Sequence, residues 1–102
     1  MKKILLILFF LISLFGNSQS TFSSFLGLDN SWGNILNWSG GIPALGDDAI
    51  INDNCNVNIN STCSNILVNP TYELTINNNI ILDIDGSLSL ELNSTLNNQG
   101  TI

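Results

Sequence analysis

Basic side chains are almost absent from this chain: Lys2 and Lys3 are its only cations, and it contains no histidine. Its eight Asp and Glu residues all lie after position 20, where no cation accompanies them. Nucleic-acid binding by phosphate neutralisation needs clustered Lys and Arg, so the composition excludes that partner. It equally excludes Ser–His–Asp, Cys–His and Schiff-base lysine catalysis beyond residue 20. We therefore expect no enzymatic activity and no cofactor.

Long apolar runs are also lacking, apart from one at the N-terminus. Lys2 and Lys3 precede the nearly apolar run 4–15, and small polar residues then continue to Ser20. A helix that spans a bilayer needs roughly 20 apolar residues, which is more than this run offers. The pattern predicts a signal peptide over residues 1–20, cleaved near Ser20, and no membrane insertion afterwards. The protein is therefore expected to be secreted, extracellular or displayed at the cell surface.

Cysteine occurs only twice, at Cys55 and Cys63. An even count in an exported domain favours one disulfide. Closing a loop of about nine residues would contribute roughly 2.6 kcal/mol in the chain-entropy treatment. A redox or metal pair would be expected to show a CxxC spacing or a histidine partner, and neither is present. We therefore predict a structural disulfide between the two cysteines.

The chain after the leader divides into two parts of different composition. Residues 21–46 are rich in aromatic residues and glycine, which predicts a loop-rich entry and capping segment. Residues 47–102 contain short runs in which apolar residues recur at every second position, as at Leu88, Leu90 and Leu92. This alternation predicts β-strands, and no apolar stripe of helical period interrupts it.

The polar corners between these runs decide between two β architectures. The chain has seventeen asparagines, and many cluster between the apolar runs. Asparagine tolerates left-handed backbone and can bond its own backbone two residues on, which suits tight corners. The runs resemble one another, and their corners hold asparagine runs and Gly86, with Asp85-Gly86 as the one dipeptide of the Asn-Gly or Asp-Gly hairpin type. We predict an all-β, right-handed parallel β-helix or solenoid-like module over residues 47–102, incomplete at its C-terminal end, with a small antiparallel β-sandwich as the alternative.

One continuous phrase in the sequence carries a family resemblance. It reads Trp32-Gly-Asn-Ile-Leu-Asn-Trp38-Ser-Gly-Gly-Ile-Pro43-Ala-Leu-Gly46-Asp-Asp-Ala-Ile-Ile51. It resembles the entry of secreted Bacteroidetes-type parallel β-helix repeat proteins, and it looks like the opening of the G8 domain, a glycine-rich extracellular β module. The resemblance extends over about residues 32–102. It implies an adhesion, surface or polysaccharide-related context and supplies no catalytic motif.

Two pairs of residues are candidates for a binding site. Trp32 and Trp38 could form a platform for carbohydrate stacking, although such aromatics more often cover the open end of a β core. Asp47 and Asp48 are weak candidates for a Ca²⁺ site, since hard cations prefer carboxylate oxygens. A carboxylate before a strand more often bonds the backbone N–H groups of the corner. In both cases the structural interpretation is favoured, and no metal site is predicted.

The expected function is that of a secreted, non-catalytic structural or adhesion-type module at the N-terminal end of a longer extracellular protein. Glycans or cell-surface components are the expected partners. Two alternatives remain open: the module is the non-catalytic start of a polysaccharide-active enzyme, or it is a small carbohydrate-binding module.

Overall fold

The computed structural model describes residues 18–102, so most of the predicted leader lies outside the described residues. Residues 18–102 form short β-strands and two 3-10 helices at Phe25–Gly27 and Ile35–Asn37, neither long enough to cross a bilayer. The strands are β1 (Gln19–Phe22), β2 (Asp48–Ile51), β3 (Cys55–Val57), β4 (Ser61–Cys63), β5 (Ile66–Val68), β6 (Glu73–Ile76), β7 (Leu82–Ile84), β8 (Leu88–Leu90) and β9 (Thr95–Asn98). The all-β prediction is confirmed.

The strands follow the two-residue alternation of the sequence. In β3, Cys55 and Val57 are buried while Asn56 between them is exposed. In β2, Ala49 and Ile51 are buried. Successive side chains of a strand point to opposite faces, so each apolar run presents one face to the interior.

The strands form three sheets, and every pairing between them is parallel. The largest sheet has the order β1-β2-β5-β8, the second β3-β6-β9 and the third β4-β7. Strands that follow each other through a tight turn do not pair with each other. Parallel neighbours need a longer crossover connection. The antiparallel sandwich is therefore not the architecture of residues 18–102.

The register shows how the sheets are built along the chain. Ile66 of β5 pairs with Leu88 of β8, and Leu74 of β6 pairs with Leu96 of β9. Both steps are 22 residues long, so consecutive strands of a sheet come from consecutive passages of the chain. We call each passage a layer: the entry layer is 18–47, the second layer 48–65, the third layer 66–87 and the fourth layer 88–102.

One hydrophobic cluster joins side chains from all three sheets. A column of aligned inward positions runs through Phe22, Ile51, Val68 and Leu90. The first three are fully buried, whereas 47% of the Leu90 side chain is exposed. The core is therefore closed at the entry layer and open at the fourth. β1 begins at Gln19, so the folded entry segment starts two residues before the predicted boundary at residue 21.

Candidate functional site

Three aromatic side chains close the core at the entry layer. Trp38 packs edge-on against Trp32 and Phe22, with ring centroids 4.8 Å and 5.2 Å apart. Its indole N–H donates a hydrogen bond of 2.7 Å to the carbonyl oxygen of Trp32. Trp32 is fully buried and only 5% of Trp38 is exposed. The two tryptophans therefore cannot offer a ring face to a sugar, and the suggested carbohydrate-stacking platform is wrong.

The backbone of the same segment covers the outer edge of β1. Residues 37–39 turn back antiparallel to β1, where the N–H of Ser39 donates to the carbonyl of Thr21 and that of Ser23 to the carbonyl of Asn37. Their N···O distances are 3.0 Å and 2.8 Å. Unpaired strand edges can template further pairing, so this fold-back closes the N-terminal end of the largest sheet.

The edge of β3 is covered by the preceding part of the entry layer. The N–H of Trp32 donates to the carbonyl of Asn56, and the N–H of Asn56 donates to the carbonyl of Asn30, both at 2.8 Å. This parallel pairing places Trp32 above the second layer with its ring directed into the core. At the N-terminal end, both of the larger sheets therefore have covered edges.

The buried amide of Asn37 holds the loop of residues 25–31, which lies in the chain between Phe22 and the other two members of the aromatic cap, Trp32 and Trp38. Its Oδ1 accepts from the N–H of Phe25 at 2.7 Å, and its Nδ2 donates to the carbonyls of Asp29 and Ser31 at 3.0 Å each. Only 2% of this side chain is exposed. All of its hydrogen-bonding groups have partners, as buried polar groups require. Sequence reasoning missed this residue, since only its position between Leu36 and Trp38 in the entry phrase distinguishes it from the other asparagines.

The carboxylate of Asp29 orders the opposite side of this loop. It accepts hydrogen bonds from the hydroxyl and the backbone N–H of Ser31 and from the amide of Asn34. The Ser31 hydroxyl, followed by the Asn34 amide, lowers the pKa of Asp29 because these donors stabilise the ionised form. The ionised carboxylate of Asp29 therefore acts as a hydrogen-bond acceptor that orders the loop before Trp32 and Trp38.

Asp47 and Asp48 occupy the corner that precedes β2. The Asp47 carboxylate accepts from the hydroxyl of Ser18 and from the N–H of Ala44, while that of Asp48 accepts from the side-chain amide of Asn65. These contacts support the corner interpretation. The suggested calcium site is not assembled, because no group of three potential Asp, Glu, Cys or His ligands occurs within residues 18–102.

The predicted disulfide between Cys55 and Cys63 is wrong: both thiols are free and buried. Cys55 begins β3 and Cys63 ends β4, so they belong to different sheets. Each is aligned with its own apolar neighbour in the third layer, Leu74 and Ile84 respectively. Burial raises the pKa of Cys63 to about 11 and raises that of Cys55 further, so both remain protonated and pack as small apolar residues.

Asparagines at the corners connect one layer to the next. Their side-chain oxygens accept from backbone N–H groups of a neighbouring layer at 2.8–2.9 Å, in the pairs Asn58 with Gly33, Asn54 with Glu73, Asn60 with Ile81 and Asn65 with Ser87. Sequence reasoning assigned asparagine to left-handed corners and to bonds with its own backbone two residues on. Of the asparagines within residues 18–102, only Asn79 and Asn93 have the positive φ of the left-handed conformation. Asn34 and Asn98 accept hydrogen bonds from the N–H groups two residues on. The bonds between layers were not predicted.

The C-terminal end lacks the closure found at the N-terminal end. Within residues 18–102, β8 and β9 each pair along one edge only. Leu88 and Leu96 are half-buried there, whereas Leu90, Leu92 and Ile102 are exposed. The fourth layer therefore offers backbone groups and apolar side chains that no element within residues 18–102 covers.

No catalytic constellation is assembled among the described residues. Asp83 and Asp85 are both exposed, and the chain beyond Lys3 supplies no cation to pair with them. A surface cavity of about 340 Å³ beside the cap is lined by Phe25, Leu26 and Leu36 among others, and contains no charged side chain. Comparisons with models of protein families, with curated proteins and with solved structures found no match.

Proposed function

We propose that residues 18–102 are the capped beginning of a secreted, right-handed parallel β-helix. In this proposal the module is non-catalytic and serves a structural or adhesion-type role, with further layers stacked on its open end. The observation that carries it is the difference between the two ends of the parallel sheets, one covered by the chain and the other uncovered.

The register of the pairings supports a helical path of the chain. Strands of one sheet recur after 17 to 21 residues between the second and third layers and after 22 residues between the third and fourth, and each inward column continues across the pairing. Crossover connections between parallel strands are right-handed in about 98% of cases, which supports the right-handed form. Stacked layers of this kind contact only their neighbours, so the two terminal layers need separate covers.

The charge pattern supports export and a non-catalytic role. The leader has the basic start, the apolar run and the small residues of a signal peptide. Beyond it, eight carboxylates without a cation give an acidic exterior that repels other copies at low salt. Glycans or cell-surface components are the proposed partners of this exterior, at faces other than the buried tryptophans.

Extension of the open end tests the structural part of the proposal. Thr101 pairs with Ile81, so Ile102 corresponds to Leu82, and residues 83–87 followed by residues 66–87 would continue the register. We expect that appending a copy of these segments after Ile102 raises the free energy of unfolding in urea. The appended layer would bury Leu88, Leu90 and Leu96, and apolar burial is worth about 25 cal/mol per Å².

The matched control carries the same appended residues in shuffled order, which keeps length and composition but removes the register. An equal effect of the ordered and shuffled extensions, or no effect of either, would contradict the proposed stacking. Export is tested separately by fractionation of cells that produce the full chain, where the protein should be found outside the cytoplasm.

A further inference from the structure

Strand β1 includes residues that a cleavage near Ser20 would remove. Gln19, Ser20, Thr21 and Phe22 pair one to one with the four residues of β2. Only 3% of Ser20 is exposed, and its hydroxyl accepts from the N–H of Gly40 at 3.0 Å and donates to the carbonyl of Gly41 at 2.7 Å. Ser20 therefore joins β1 to residues 40–41 of the entry layer.

Cleavage after Ser20 would damage the closed end of the molecule. It would remove half of β1 and leave the backbone groups of Gly40 and Gly41 without these partners. It would also uncover Ala49, the residue of β2 aligned with Ser20, which is buried. Gly40 is exposed and Gly41 is half-buried, so water can take over part of these bonds. A mature chain that begins at Thr21 would still lose two of the four β1–β2 pairs and the cover over Ala49.

We propose that the leader is removed between Ser18 and Gln19, so that the mature chain begins with the first residue of β1. This inference rests on the proposed secretion. Gly16 and Ser18 then occupy the two small-residue positions before the cleaved bond. A signal peptidase hydrolyses that peptide bond with one water molecule: Ser18 leaves with the new carboxylate, and Gln19 keeps the new α-amino group.

The new amino terminus lies beside an acidic pair. Gln19 is aligned with Asp48, and the hydroxyl of the residue before it, Ser18, contacts the carboxylate of Asp47. The α-ammonium of Gln19 would be the only cation within residues 19–102, which contain no Lys, Arg or His. Cleavage thus removes a hydroxyl donor from Asp47 and places a charged donor one residue away. The carbonyl of Ser18, which accepts from the N–H of Asp48 at 2.7 Å, is lost at an exposed end of the strand, where water can replace it.

Intact-mass measurement of the exported protein, made under denaturing conditions, tests the site. The expected mass is that of residues 19–102, with or without loss of ammonia from the terminal glutamine. An exported chain that begins at Thr21 or at another residue would overturn the inference and leave the proposed secretion standing. Retention of Met1 in a cell-associated protein would overturn both.

Two matched substitutions separate the candidate bonds. Gly16 is the third residue before the proposed cleaved bond, Ser18–Gln19, and occupies a small-residue position only for that bond. Ser20 is the residue directly before the alternative bond, Ser20–Thr21, and occupies a small-residue position only for that one. We expect Gly16→Gln to accumulate the uncleaved chain or to shift the start, because a large side chain occupies a small-residue position. Ser20→Gln should be cut at the same bond as the unmodified chain. The reverse result would assign cleavage to the bond after Ser20.

Discussion

The two ends of the stacked sheets meet solvent in different ways. At the N-terminal end, residues 37–39 pair with the edge of β1, and Phe22, Trp32 and Trp38 fill the space above the second layer. At the C-terminal end, β8 and β9 are outer strands within the described residues, and Leu90 is aligned with the buried Val68 while half of it is exposed. The same backbone pairing thus produces a closed surface at one end and an edge at the other.

Closure of an end therefore depends on side chains other than the aliphatic residues that repeat from layer to layer. Short aliphatic side chains suffice inside the stack, because each is covered by the layers above and below. Within residues 18–102 the entry layer has a neighbouring layer on one side only, so large aromatic rings and a folded-back segment cover its core on the other side. We therefore expect stability to be more sensitive to changes at the N-terminal end than at the C-terminal end.

Truncation of an apolar side chain should change the free energy of unfolding far more at the N-terminal end than at the C-terminal end. Trp38→Ala leaves a cavity against Trp32 and Phe22 and should lower the free energy of unfolding by about 3–5 kcal/mol. Leu90→Ala removes a side chain that is already half exposed and should cost less than about 1 kcal/mol. Urea denaturation of both variants measures the difference, and similar losses would show that the open end carries as much of the core as the cap.

Replacement of an amide by a carboxylate should also lower the free energy of unfolding more at the N-terminal end than at the C-terminal end. Asn37→Asp keeps the shape of the side chain but directs an acceptor at the carbonyls of Asp29 and Ser31, so we expect a loss of about 2–3 kcal/mol. The control, Asn97→Asp, lies exposed in β9 and should change stability by less than about 0.5 kcal/mol. Equal effects in thermal unfolding would mean that the Asn37 amide does not hold the loop under the cap.

Loss of a bond between layers should have a smaller effect. Asn65→Ala removes an amide that donates to Asp48 in its own layer and accepts from the N–H of Ser87 in the next, and we expect a loss of about 1–2 kcal/mol. The control, Asn78→Ala, changes an exposed asparagine whose side chain has no hydrogen bond within residues 18–102, and it should cost less than about 0.5 kcal/mol. If the two variants unfold at the same urea concentration, the asparagines at the corners do not connect the layers.

The smallest expected effect is a salt-dependent self-association of the protein through the uncovered edge of the fourth layer. Salt screens the acidic exterior, with a Debye length of ~8 Å at 0.15 M, so association of residues 19–102 should increase with ionic strength. Leu90→Glu places a charge at the uncovered edge and should suppress this increase, whereas Leu45→Glu, at an exposed leucine of the entry layer, should not. Light scattering at low and high salt measures it, and suppression by both variants would contradict an edge-specific contact.

The sequence predicted the β-strands because their alternation is local. Val57 and Cys55 on one face of β3, with Asn56 on the other, can be identified from residue type alone. The parallel sheets were predicted from the likeness of the runs and from the asparagine runs at their corners, and the six pairings agree. The sequence also favoured the structural role of Trp32 and Trp38 over sugar stacking.

The cysteines and the cap could not be predicted in the same way. An even cysteine count indicates a disulfide only if the fold brings the thiols together, and here a corner of the chain assigns Cys55 and Cys63 to different sheets. The role of Asn37 depends on three partners up to twelve residues away, which no local pattern specifies. The partners of the corner asparagines are one layer away, and local turn chemistry does not indicate them.

The spacing of the layers fixes how the length of such a module depends on its residue count. Neighbouring strands of a sheet lie about 4.8 Å apart, so a layer of 22 residues adds only that much to the axis, whereas an α-helix of the same residues would be about 33 Å long. The step from Ala49 to Ile66 is five residues shorter than the step from Ile66 to Leu88, yet both are single strand-to-strand pairings. Insertions and deletions at the corners therefore change the cross-section of the module and leave its length along the stacking axis unchanged.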